Sequence, residues 1–211
     1  MGVRSEESRG KWWRDGNIFV SLPPEMAIQV TYRRTRRLSM RIVKNGDVHV
    51  SVPYGMPRAE VDAFLDGNRD WIVEARRKTL EREGQRSAFF NRLPLQTREQ
   101  MADARRRLEV LTAPMVAHHA REMNVMPAQV SYRAMVSRWG VCYIKRRSIC
   151  LSLYLLLLPE WCVESTVVHE LCHLLEPSHN ARFYALMDRY YPRWREARRE
   201  TKRLCSAGGT S

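Results

Sequence analysis

Apolar and polar positions alternate with a period of two early in the chain. "LSMRIVK" places Leu38, Met40 and Ile42 on one face, and "DVHVSV" does the same with Val48, Val50 and Val52. Side chains spaced this way suit half-buried strands. Asn45-Gly46 lies between the two runs and is a favoured pair for a type I′ turn, so the stretch predicts a β-hairpin. Residues 1–25, ahead of it, are polar, irregular and close on Pro23-Pro24; they read as a flexible arm or linker.

After Pro57 the period changes to that of a helix. Val61, Phe64, Leu65, Ile72 and Ala75 recur near i, i+3/i+4, with Gly67 marking a break between two helices. Thr97 and Gln100 have the spacing of a capping box, opening a helix that carries Leu108 and Leu111. Pro114 is expected to kink or end that helix. "QVSYRAM" and "SICLSLY" alternate like strands, "PEWCVESTVVHELCHLL" reads as a helix with Pro159 near its start, and a last helical stretch from about Ala181 is interrupted at Pro192. A hairpin and helices followed by strands and helices predict an α+β domain over 26–204, with 205–211 as a disordered tail.

Composition narrows the class. A chain of 211 residues with 44% hydrophobic content fits one domain with a real core, or one domain and a small arm. The formal net charge of +13 suits an acidic partner such as nucleic acid, or simply a solvated basic surface. Its clusters are Arg33, Arg34, Arg36 and Arg37, then Arg105–Arg107, then Lys145–Arg147. No nucleic-acid module accompanies them, so a solvated surface is the favoured reading and sequence-blind phosphate contact the alternative. Five scattered cysteines without a C-x-x-C pair point to free thiols in a reducing compartment. The N-terminus has no apolar signal core, and the run "ICLSLYLLLLP" is too short for a bilayer. A soluble, cytoplasmic protein is expected.

The chemistry concentrates in "TVVHELCHLLEPSHN", residues 166–180. On a helix, His169 and His173 lie about 40° apart and one turn along, so both imidazoles can converge on one zinc ion at about 2.0–2.1 Å. Glu170 lies about 100° from His169, a poor ligand but well placed as general base toward a water. A catalytic zinc needs a third ligand. His179 would be about 15 Å along a continued helix from His169, but Pro177 ends the helix near Leu175 and lets the chain fold back. Glu196 or Glu200 is the alternative third ligand. Cys172, about 60° from His169, reads as a packed small residue. His49, His118 and His119 read as surface or core residues. Such a site would hydrolyse a peptide bond, with an oxyanion donor among Arg138, Asn180, Arg182 and Tyr184; Tyr184 reads better as core.

"SRWGVC", "ICLSLYLLLLPEWCVESTVVHELCHLLEPSHNARFYALM", "RRTRRLSMRIVKNGDVHVSVPYGM" and "VDAFLDGNRDWI" together resemble the YgjP-like metallopeptidases, relatives of the SprT and WLM zinc peptidases. The likeness runs from about residue 28 to 203. It implies a zincin-like fold in which a small antiparallel sheet packs on the H-E-x-x-H helix. It also implies Zn2+ held by His169, His173 and His179, with Glu170 as catalytic base and a protein or peptide as substrate. Val141, Cys172 and Ser178 depart from the family pattern, and none of them is a ligand or the base. A bland role as a tight turn is expected of Arg138-Trp139-Gly140. Two other classes stay open: a nucleic-acid-associated protease, and a non-catalytic zinc-stabilised domain. The arm 1–25 reads as a disordered tail, with a segment covering the site as the alternative.

Overall fold

The computed structural model describes residues 11–14, 17–20 and 26–206. It is a mixed α+β structure that divides into two compact units, Met1–Gly84 and Gln85–Ser211. The boundary falls inside the long helix α2 (Arg69–Asn91).

The first unit is built on a five-stranded sheet of order β1-β2-β3-β5-β4. Its strands are β1 (Lys11–Arg14), β2 (Asn17–Val20), β3 (Ile28–Arg33), β4 (Ser39–Ile42) and β5 (Val48–Pro53). β4 and β5 form the expected antiparallel hairpin, with Ile42 opposite Val48. β3 lies parallel to β5 on the other side and pairs Val30 with Val50. The alternation works as read: Val48, Val50 and Val52 are buried with Ile28 and Val30, closed over by Val61 and Leu65 of α1 (Arg58–Gly67) and by Ile72. The turn differs from the expected type I′. That type needs positive φ at both central residues, whereas Gly46 (φ 87) has it and Asn45 does not. Gly46 N–H instead donates to the Val43 carbonyl and Val43 N–H to Asp47, a longer loop that ends on a left-handed glycine. Two strands, β1 and β2, lie within the stretch read as an arm and pair antiparallel, with Arg14 opposite Asn17. In the sequence between them Asp-Gly is itself a hairpin signal, and residues 1–10, 15–16 and 21–25 lie outside those described.

The second unit contains α3 (Arg98–Glu122), α4 (Glu160–Cys172), α5 (Ala181–Tyr190), α6 (Trp194–Ser206) and a three-stranded sheet of order β6-β8-β7. The strands are β6 (Gln129–Arg133), β7 (Gly140–Tyr143) and β8 (Ser148–Ser152). The sheet is mixed rather than antiparallel: β7 and β8 form a hairpin, but β6 runs parallel to β8. The apolar run "ICLSLYLLLL" divides into the central strand β8 and one 3-10 stretch, Leu153–Leu157. Ile149 and Leu151 share a core with Leu108 of α3, Val163, Val167, Val168 and Leu171 of α4, and Phe183 and Met187 of α5.

The capping box at Thr97 and Gln100 is present in full. α3 nevertheless runs on through Pro114 to Glu122 instead of ending there. The carbonyl that Pro114 deprives of its partner belongs to Val110, whose residue is 71% exposed and open to water. α6 extends to Ser206, two residues into the expected tail, and 207–211 lie outside the described residues. All five cysteines are free. Among the described residues no helix is long and apolar enough to cross a membrane.

Candidate metal centre

α4 starts after Pro159, whose fixed φ and missing donor suit a helix entry. It ends at Cys172, and Leu174 and Leu175 still donate back to the Leu171 and Cys172 carbonyls before Pro177 forbids more. The loop that follows is held by Glu176. Its side chain accepts from Ser178 N–H at 3.2 Å and lies 3.9 Å from Arg182. Its carbonyl lies 3.1 Å from His173 Nδ1. A carbonyl only accepts, so Nδ1 carries the proton and Nε2 keeps its lone pair for the centre.

The turn brings His179 back over the helix. His179 Nε2 lies 3.1 Å from His169 Nε2. The ligand atoms of His169, His173 and His179 all lie within 4.8 Å of one another. Two nitrogens on a tetrahedral zinc stand about 3.3 Å apart, so the cluster has the dimensions of a metal site. Burial, then the neighbouring imidazoles, push the His169 pKa down to about 3, which leaves that ring neutral and able to donate a lone pair. Phe183 of α5 forms the floor, with ring centroids 4.8, 4.6 and 4.7 Å from His169, His173 and His179. Asn180 caps α5 by accepting from Phe183 N–H at 3.1 Å, which fixes that floor.

Glu170 is 4% exposed, and its Oε2 has no hydrogen-bond partner. Burial raises its pKa to about 8, against the smaller opposing effect of Arg138. A buried carboxylate oxygen without a donor is costly, and a bound water or cation would satisfy it. Glu170 lines a cavity of about 250 Å³ together with the three histidines, Pro177, Ile144 and the strand Gly140-Val141-Cys142.

The sequence-predicted residues thus separate. His169, His173, His179 and Glu170 come together. Glu196 and Glu200 do not join them; they pair with Arg193 and Arg203 along α6. Cys172 is fully buried in the core, its thiol pushed up to about 12. Tyr184 stacks on Trp194 at 5.4 Å, as a core residue would. Asn180 and Arg182 are engaged in the loop, and of the four oxyanion candidates Arg138 is the one whose charge reaches Glu170.

Sequence reasoning missed Gly140, Glu176 and Phe183. Arg138-Trp139-Gly140 does more than turn. Trp139 packs edge-on to Phe89, while a Cβ on Gly140 would fall 2.6 Å from Glu170 Cγ and 2.7 Å from its Cδ. A lone glycine opening a strand was the available signal, since it often marks close approach of another group.

The profile of the YgjP-like metallopeptidase domain matches residues 36–94 and 93–204, most of the chain. The chain belongs to the YgjP-like metallopeptidase family. A peptidase of this family uses a metal cofactor and acts on proteins or peptides. Part of the chain is also similar to the crystal structure of the metallopeptidase zymogen of Pyrococcus abyssi abylysin. It has 22% identity and a TM-score of 0.39, over 43% of this chain and 93% of that one. No curated protein matches the chain.

Proposed function

We propose that this YgjP-like protein is a zinc-dependent endopeptidase in which His169, His173 and His179 hold the metal and Glu170 is the general base. The observation that carries the reading is the convergence of three imidazoles beside a buried carboxylate oxygen that lacks a partner. Three nitrogen ligands of this kind would suit zinc, and all three line the cavity. A zinc ion held there supplies Lewis acidity and makes water more acidic.

The chain's own residues do the rest. Glu170 Oε2 accepts the proton of the attacking water and returns it to the leaving amine. The Glu170 side chain lies against Gly140, where the missing side chain leaves room for its carboxyl group. The Glu176 carbonyl orients His173, and Phe183 excludes water from beneath the rings. β7 pairs with β8 on one side, and no described strand covers its other edge. Because Gly140, Val141 and Cys142 also line the cavity, an extended peptide can add to that edge by main-chain hydrogen bonds, which favours a peptide substrate over a small amide.

The test is zinc content and peptide hydrolysis of wild type beside His179→Ala and Glu170→Gln. One tightly held zinc per chain is expected in wild type and in Glu170→Gln, with hydrolysis lost in the latter by roughly 10²-fold or more. Undiminished hydrolysis in Glu170→Gln would overturn the assignment of the base. Undiminished zinc in His179→Ala would overturn the ligand set.

A further inference from the structure

A second group of metal-ligating side chains lies near the C-terminal end of α3, in His118, His119 and Glu122, whose donor atoms all fall within 4.8 Å of one another. Helical spacing explains their meeting. Glu122 is four residues from His118 and three from His119, and both positions share a face with it. His118 and Glu122 are exposed, but His119 is 5% exposed and faces α4.

His119 carries the argument. Its Nε2 lies 2.9 Å from Glu164 Oε1 of α4. A carboxylate only accepts, so Nε2 carries the proton. Its other nitrogen, Nδ1, is buried without a hydrogen-bond partner and faces Glu122 Oε2 at 3.5 Å. In a neutral ring that sets two lone pairs against each other. A second proton on the ring, a water donating to both or a metal ion would relieve this.

Geometry favours the ion. A charge-assisted N–H to carboxylate bond contracts to about 2.7–2.9 Å, shorter than this gap. Two ligands on a tetrahedral zinc stand about 3.3 Å apart, close to it. His118 Nε2 also approaches the same Glu122 Oε2, at 3.9 Å, and a proton would need no third donor there. The Glu164 carboxylate behind His119 is the arrangement that metal-bound imidazoles commonly have on their far nitrogen. Tyr191 closes the remaining side with its ring 6.4 Å from His119, its hydroxyl committed to the Trp161 carbonyl at 2.6 Å.

We infer that His118, His119 and Glu122 form a second divalent-cation site, separate from the His169 cluster, with Glu164 as the residue that orients His119. Two imidazoles and one carboxylate suit zinc or a neighbouring transition metal, not calcium or magnesium. Because two of its three ligands are exposed, against one in the His169 cluster, the site exchanges its ion more readily than that cluster. Its occupancy ties α3 to α4 through the chain Glu122, metal, His119, Glu164.

The experiment titrates the full-length protein with zinc against a competing chelator. It is run on wild type, His118→Ala and Glu122→Gln, each with and without His179→Ala so that the two sites are counted separately. One equivalent, the weaker of two, is expected to vanish in His118→Ala and Glu122→Gln and to persist in His179→Ala. Both altered side chains are exposed, so folding is retained. Imidazole 15N spectra add an independent reading. Saturating zinc is expected to shift His119 Nδ1 while Nε2 stays protonated, and Glu122→Gln is expected to remove the shift. The same zinc count in wild type and both variants would overturn the site. So would a His119 ring doubly protonated at neutral pH and indifferent to zinc.

Discussion

Gly140 opens β7 where the Glu170 side chain passes within the space a methyl group would need. Glu170 is buried and its side chain occupies the space of the new methyl, so Gly140→Ala forces either the strand or the carboxylate to move. Overpacking of this kind costs about 1–3 kcal/mol, and it displaces the proposed base as well. Gly140→Ala is therefore expected to lower both the denaturation midpoint and hydrolysis. Glu170→Ala removes the three atoms nearest the new methyl, so the double variant should recover much of the stability lost in Gly140→Ala. A denaturant double-mutant cycle checks this, and additive effects would show that the two residues do not clash. The contrast with the histidines explains what could be read at this scale. His169, Glu170 and His173 are legible because helical spacing is a local rule, and His179 because Pro177 stops the helix. Gly140, Glu176 and Phe183 are not, because each acts through an approach between segments far apart in sequence or through a backbone carbonyl.

α5 is a short helix whose first turn carries both a cap and the floor of the site. Asn180 accepts from Phe183 N–H, and Phe183 meets all three imidazoles. Asn180→Ala should cost about 1 kcal/mol and weaken zinc retention, whereas Asn180→Asp, an equally good cap, should retain both. Thermal melts and chelator competition measure the two effects; a loss in Asn180→Asp as large as in Asn180→Ala would assign Asn180 a role other than capping. α3 shows the opposite balance. An internal proline usually destabilises a helix by about 3 kcal/mol, yet capping at Thr97 and burial of Leu108, Thr112 and Ala120 on either side carry α3 through Pro114. Pro114→Ala should restore the bond to the Val110 carbonyl and raise stability by up to about 3 kcal/mol, read from the denaturation midpoint. Element identity was thus legible from period and caps. The mixed pairing was not, because the parallel partners β3 with β5 and β6 with β8 are chosen by non-local packing that no turn signal records. At the β4–β5 hairpin the Asn-Gly pair announced a turn but not its length.

Two cores share the chain. One gathers Ile28, Val48, Val50 and Ile72, the other Leu108, Ile149, Val167 and Leu171. The period-two and helical patterns marked the members of each, but nothing in composition changes at Gly84, where a continuous helix crosses the boundary. The basic clusters are exposed in both units, at Arg33–Arg37 and at Arg105–Arg107 and Lys145–Arg147. Arg106 and Arg107 are partly offset by Asp103, and such surface pairs contribute little to stability. All the proposed ligands and Glu170 lie in the second unit. A ligand that binds only the folded form stabilises what it binds by about 2.7 kcal/mol at a hundredfold excess over its Kd. Zinc removal is therefore expected to act on one unit. Amide hydrogen exchange of the full chain, with zinc and after chelation, should speed up in α4 and α5. In β3 and β5 it should stay unchanged, because their protection derives from a core that holds no ligand. Equal acceleration in both units would mean that they unfold together and that the metal supports the whole molecule.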